Sequence, residues 1–211
     1  MIIETRSAPP FFKNGFVLGC EDTRQGVVID PGDDVEALVA AVAQHGLTIR
    51  YILLTHAHLD HITGVAAAKK ALNAPVGLHR ADNFLYEAVV QQGQMFGLPV
   101  QAQPAVDFFY EIPGPYRFGN FSAWVHHTPG HCPGGVCLAV GRDSQAERQL
   151  FVGDTLFAGS IGRTDLPGGD HETLLRSIRD VLFTFPDETV VFPGHGNPTT
   201  IGVEKRTNPF L

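Results

Sequence analysis

A chain of 211 residues, 44% hydrophobic and 18% charged with no low-complexity tract, has the makeup of an ordered globular protein, not of a disordered tail. Its formal net charge of −7 disfavours partners such as nucleic acid or anionic membrane, and the pairs Lys69-Lys70 and Lys205-Arg206 are too short to track a phosphate backbone. Cys20, Cys132 and Cys137 are too few and odd in number for a disulfide framework, and neither a basic-then-apolar leader nor a membrane-length apolar run is found, so a cytoplasmic protein is expected.

In chain order, residues 2–8, 15–20 and 26–29 read as short strands parted by Pro, Gly and charged turns. The third stops at Asp30-Pro31-Gly32. Asp33 is expected to cap a helix, with Glu36 completing a capping box and Val35, Leu38, Val39 and Val42 at helical spacing as far as Gly46. Residues 49–55 return as a buried strand, and 63–73 as an alanine-rich helix with Lys69 and Lys70 on its wet face. A strand at 75–78 and a helix over 81–96 follow, the helix stopped by Gly97-Leu98-Pro99. The Pro-rich 99–117 reads as a loop with one short strand. Strands at 121–127, 136–140 and 149–152, a helix over 172–182 capped by Asp170, and a strand at 189–192 complete the pattern. No Gly-, Ser- or charge-rich linker divides the chain, so residues 1–211 are read as one α+β domain, two packed sheets between helical layers.

The strand at 49–55 delivers His56, His58, Asp60 and His61, four metal-competent side chains in six residues. Imidazole and carboxylate donors suit zinc first, and also iron or manganese. His56 and His58 are placed to grip one ion, leaving Asp60 and His61 for a second; a His-rich turn without a ligand is the weaker reading. Three further candidates sit at strand ends beside Gly or Pro: His131 in Thr-Pro-Gly-His, Asp154 in Val-Gly-Asp-Thr, and His195 in Pro-Gly-His-Gly. Each is weak alone and informative only beside the first cluster.

In this order, His-x-His-x-Asp-His, a later His, a later Asp and a final Gly-His-Gly, the sequence resembles the metallo-β-lactamase superfamily. The resemblance implies an αββα sandwich with the metals at one edge. It also implies two divalent ions, one on His56, His58 and His131 and the other on Asp60, His61 and His195, with Asp154 between them. Gly153-Asp154-Thr155-Leu156-Phe157, the segment 159–170 and the tail from Gly194 to Leu211 resemble single-domain glyoxalase II-like hydrolases. That implies metal-dependent hydrolysis of a small-molecule glutathione thioester such as S-lactoylglutathione. The Asp at 154 argues against a true β-lactamase. Only 16 residues, 196–211, follow His195, too few for the helical carboxy-terminal domain of longer glyoxalase II enzymes. Glutathione selectivity is therefore less well supported than thioester hydrolysis.

Two cations about 3.5–4 Å apart lower the pKa of a shared water, and Asp60 is expected to orient the resulting hydroxide. A thiol leaves as thiolate with a pKa of about 8.5, so no general acid is needed. Asp30 resembles an acidic position that supports the metal-bound imidazoles, although it also opens a Pro-Gly turn. Thr55, Thr128 and Thr155 adjoin ligand positions. Arg163 falls where related enzymes present a basic residue to a glutathione carboxylate; Lys205 and Arg206 are weaker candidates. Cys132 reads as a small buried hydrophobe, His45 and His171 as surface residues, and of His126 and His127 one is expected to face the site. The alternatives on the same scaffold are a lactonase and a persulfide dioxygenase with a single iron.

Overall fold

The computed structural model describes residues 1–143 and 148–211. The first half of the chain runs β1 (Ile2–Ala8), β2 (Lys13–Gly19), β3 (Gln25–Ile29), α1 (Val35–Gln44), β4 (Thr48–Leu53), α2 (Leu59–Ile62), α3 (Val65–Leu72), β5 (Val76–Leu78), α4 (Asn83–Glu87), α5 (Val89–Met95) and β6 (Phe108–Phe109). The second runs β7 (Tyr116–Phe118), β8 (Phe121–His127), β9 (Val136–Gly141), β10 (Gln149–Gly153), β11 (Leu156–Phe157), β12 (Ser160–Ile161), α6 (His171–Asp180), β13 (Val190–Pro193), β14 (Thr199–Thr200) and α7 (Ile201–Thr207). Each half supplies one six-stranded mixed sheet, in the orders β1-β2-β3-β4-β5-β6 and β14-β13-β10-β9-β8-β7, while β11 and β12 form a small hairpin.

Alternation along the strands sorts the core into three apolar layers. Val17, Val28 and Ile52 point outward to α1, α3 and α4, where Leu38, Val65 and Leu85 meet them. Their neighbours Phe16, Leu18, Val27, Ile29 and Leu53 point inward and pack against Val125, Leu138 and Phe151 of the second sheet. The outer face of that sheet, Ala139, Leu150, Val152 and Val191, is covered by Leu174 and Ile178 of α6 and Ile201 of α7. Helix, sheet, sheet, helix is the αββα order expected.

Local details differ from the sequence reading. The Asp33–Glu36 capping box does not form: α1 begins after Asp34, whose carboxylate accepts from Lys13 Nζ at 3.0 Å and Gly32 N at 3.1 Å, while Asp33 accepts from Thr63 Oγ1 at 2.9 Å. The helix expected over 63–73 is α3 alone, and α2 precedes it. They part at Thr63-Gly64, where Gly64 N donates to Pro31 O at 3.0 Å and a Cβ on Gly64 would lie 2.3 Å from Gly32 O. The 81–96 helix is broken at Ala88 into α4 and α5, after which Gln92 turns inward. Residues 99–117 hold β6 and the start of β7, not one strand, and β14, α7 and the β11–β12 hairpin were not expected. Strands of two or three residues carry too little periodicity to read, and α7 spans only seven residues.

Between the sheets Phe151 is fully buried, stacked on Phe192 at 4.9 Å and edge-on to Phe16 at 5.0 Å. Phe151→Ala is expected to lower the unfolding free energy by about 3–5 kcal/mol in urea denaturation. A loss under about 1 kcal/mol would mean that the sheets close over the gap.

Candidate metal centre

The site is assembled where strands end. β3 pairs parallel to β4 and β10 pairs parallel to β13, so Asp30, the 54–61 segment, Asp154 and His195 leave from matching strand ends. Backbone bonds tie the two sheets there, Val136 N to Thr55 O at 2.9 Å and Asn14 N to Gly194 O at 2.6 Å, and Gly194 N to Gly153 O at 2.8 Å joins two strand ends of the second sheet. Gly194 is required by space, because a Cβ would lie 2.2 Å from Asp154 Oδ1. Strand ends held in this way preorganise the side chains they carry.

All seven sequence-identified residues converge. His56, His58 and His131 form one group; Asp60, His61 and His195 form another; Asp154 joins His56 and His61 in a third that overlaps both. His58 Nδ1 lies 2.8 Å from His131 Nε2, and His195 Nε2 lies 3.1 Å from Asp60 Oδ2. Asp154 faces both sets, with Oδ2 3.7 Å from His131 Nε2 and 3.6 Å from His195 Nε2, and Oδ1 3.4 Å from His61 Nε2. Four donor atoms here, Nε2 of His56, His58 and His61 and Oδ1 of Asp154, are buried with no hydrogen-bond partner. Orphaned buried acceptors are costly in a folded protein, and ligation by a cation removes the cost. The donor set, imidazoles and carboxylates without thiolate, fits zinc, iron or manganese.

Opposite edges of the rings are fixed by the protein. His61 Nδ1 lies 2.9 Å from Asp30 Oδ2, and Asp30 in turn accepts from Thr55 N at 2.7 Å and Thr55 Oγ1 at 2.6 Å. Asp30 takes a left-handed φ of 49° as it opens the Pro-Gly turn, so its two sequence-level roles coexist. Thr55 Oγ1 also lies 3.1 Å from His56 Nδ1, and His131 Nδ1 lies 2.7 Å from the Arg163 carbonyl. Such partners set tautomer and ring orientation at metal sites.

Charge is unevenly spread over the cluster. Burial, and then the surrounding imidazoles, hold His56 well below its ordinary range; burial and His131 push His58 down to about 3. For His61 burial opposes the charged form, but the carboxylates of Asp60, Asp154 and Asp30 overrule it and raise the ring to about 10. Asp154 is lowered despite its burial, chiefly by His61. Positive charge is thus favoured at His61 and disfavoured at His56 and His58.

The family model described as the metallo-beta-lactamase superfamily matches residues 8–195. The chain belongs to the metallo-beta-lactamase superfamily. Within it, a Haemophilus influenzae protein described as hydroxyacylglutathione hydrolase GloC is 38% identical over 202 residues, covering 95% of this chain and 93% of that one. Among solved structures, BLEG-1 B3 metallo-beta-lactamase superposes with a TM-score of 0.89 at 39% identity, over 100% of this chain and 99% of that one. TTHA1623 in a di-iron-bound form gives 0.86 at 41% identity, over 99% and 100%. At this level the protein is a metallo-hydrolase of the superfamily.

A cleft of about 180 Å³ opens over the centre, lined by His58, Asp60, His131, Asp154 and His195 and walled by Phe11, Leu59, Gln92, Phe96, Arg163 and Leu166. Arg163 therefore reaches the rim, but its guanidinium is exposed and paired bidentately with Asp165 at 2.7 Å. Lys205 and Arg206 pair with Asp187 and do not line the cleft. His126 packs on Phe185 and His127 stacks on His79, so neither enters the centre. His171 is exposed, whereas His45 is half-buried and bonded to Glu4 at 2.7 Å.

Three supporting residues escape a sequence reading. Buried Asp82 accepts from Ala57 N at 3.0 Å, Gly134 N at 2.5 Å and Cys132 Sγ at 3.1 Å, joining the two histidine loops. Gln92 bonds Leu59 N and Ala57 O, both at 3.0 Å, and buried Lys13 donates to the Asp30 carbonyl. In sequence each is one polar residue in a loop or at a helix or strand position; only the fold reveals its partners.

Two outcomes follow from this geometry. Metal uptake by stripped protein should release protons, since the raised His61 and His195 rings must be deprotonated to act as ligands; calorimetry in buffers of different ionisation enthalpy should register net release, and apparent affinity should rise with pH. Asp30→Ala is expected to weaken metal retention about 10–100-fold in a chelator competition, with the fold intact by circular dichroism.

Proposed function

We propose that this protein is a thioesterase that hydrolyses a glutathione thioester, with S-lactoylglutathione as the substrate to try first. The observation that carries this reading is the complete pair of donor triads meeting at Asp154, with four donor atoms left unpaired. The similarity to the Haemophilus protein supports the choice of substrate.

His56, His58 and His131 would hold one divalent ion and Asp60, His61 and His195 the other, with Asp154 shared. When bound, two such ions, zinc by donor type with iron or manganese also accepted, polarise a carbonyl and make water a nucleophile near neutral pH. Asp60, at the cleft surface and 3.1 Å from His195 Nε2, is placed to orient the attacking water through its carboxylate. Asp30 and the Arg163 carbonyl keep His61 and His131 aimed at the centre. Phe11, Leu59, Phe96 and Leu166 give the cleft an apolar wall beside the reacting carbonyl. The thiolate leaves without a proton, so the lack of an uncommitted acid in the cleft is no obstacle.

That lack supports a thioester over an amide as the first substrate to test. Every titratable side chain lining the cleft except Arg163 belongs to the donor set, and Arg163 stays protonated. The two triads likewise favour hydrolysis over persulfide oxygenation on a single iron, and a lactone remains a competing ester substrate for the same centre. A small-molecule substrate in the cytoplasm is assigned, in keeping with three buried, unpaired cysteines.

Elemental analysis alongside an S-lactoylglutathione assay tests the reading. About two metals per chain with turnover are expected, and His58→Ala should cut kcat/KM at least about 10³-fold without loss of fold, some 4 kcal/mol of transition-state stabilisation. One iron per chain, no hydrolysis and oxygen uptake with glutathione persulfide would replace the thioesterase with the oxygenase.

A further inference from the structure

The cleft is smaller than the roughly 300–1,000 Å³ that usually encloses a drug-sized ligand. It accommodates the reacting end of a glutathione thioester and leaves the tail outside. Arg163 is a poor anchor for that tail: it already holds Asp165 bidentately, so a substrate carboxylate exchanges one anion for another. On the other side of the cleft lies a larger groove of about 570 Å³ between α3 and the 98–103 segment. The two share a wall, since Phe11 and Leu59 line both.

This groove has the chemistry of a receptor for a zwitterionic peptide. Lys70, on its α3 side, is exposed and has no ion-pair or hydrogen-bond partner among the described residues, unlike Lys69, which pairs with Asp107 at 2.7 Å. Asp33 is exposed on the same wall and engaged only by the neutral Thr63 hydroxyl. The backbone N–H groups of Gln101 and Ala102 have no acceptor among the described residues, and both residues line the groove. Ala66 and Ala67 leave the floor open.

We infer that the groove binds the tail of the thiol carrier, a small zwitterionic peptide, with Lys70 on a carboxylate, Asp33 on the ammonium group and the 101–102 backbone on the peptide carbonyls. The assignment rests on the thioesterase reading and supplies what that reading lacks, a place for the carrier outside the cleft. Phe11 and Leu59 form the saddle over which the thioester descends to the centre.

The test uses metal-loaded protein and S-methylglutathione, a thioether that cannot be hydrolysed, followed by calorimetry and amide NMR. Shifts are expected at Ala66, Lys70, Gln101 and Ala102. Lys70→Glu should weaken binding about five-fold, the scale of one exposed ion pair reversed. Ala67→Trp, at an exposed helix position, should fill the groove and remove those shifts. In turnover, Lys70→Glu should lower the preference for S-lactoylglutathione over the lactoyl thioester of N-acetylcysteamine, which lacks both charges, about five-fold through KM. No binding by the native protein, shifts confined to residues 163–169, or affinity untouched by both substitutions overturns the groove. Groove binding without hydrolysis of either thioester overturns the thioesterase reading and leaves the groove standing.

Discussion

Five imidazoles and two carboxylates meet where the edges of two sheets come together, and the loops around them have to accommodate their mutual electrostatics. Packed this tightly, buried imidazoles cannot all be charged, and their unpaired nitrogens cannot all find donors. Positive charge at the centre eases both demands, because the donor atoms that face it become ligands. The carboxylates of Asp30, Asp60 and Asp154 favour positive charge at His61, while burial disfavours it at His56 and His58. The space beside those carboxylates is where a cation gains most.

Geometry of this quality has a backbone origin. Parallel pairs bring β3 with β4, and β10 with β13, to a common edge, so four loops begin within reach of one another. Glycines then allow the loops to close in. Gly32 and Gly64 let the turn after β3 lie against α2 and α3, and Gly194 lets the last histidine loop pass over Asp154. Buried Lys13 ties the same region: its ammonium spans Asp34 and the Asp30 carbonyl, while its backbone bridges to His195. One change in this frame moves ligands of both triads, so stability and metal affinity are coupled through it.

Legibility in the sequence followed the range of the interactions. The seven donors were readable because a strand end with His-x-His-x-Asp-His has few other uses, and the layered fold because apolar alternation runs through β2, β3, β4, β8 and β9. Asp30 was legible only as one of two roles, since its bonds to His61 and Thr55 join residues 25–31 positions apart. Asp82 and Gln92 were invisible for the same reason: each looks like an ordinary polar residue until the loops it bridges are brought together. The failed capping box is a competition. The helix starts one residue beyond the expected cap, after Asp34, whose carboxylate is held by the buried Lys13 ammonium, while Asp33 is held by the Thr63 hydroxyl.

Arg163 shows how position and availability separate. Its carbonyl orients His131 and its side chain stands at the rim, yet the guanidinium is committed to Asp165 two residues on. In water such a pair contributes little to stability, but it removes most of what a second carboxylate would gain by binding. Lys70 has the opposite balance, being farther from the chemistry and free to pair. A substrate that must place an uncharged carbonyl among buried imidazoles is best held by charges outside that cluster, where its carboxylates neither compete with Asp60 and Asp154 for the cations nor need to be desolvated. Separating the polar grip from the reacting centre explains how a small cleft can serve a larger substrate.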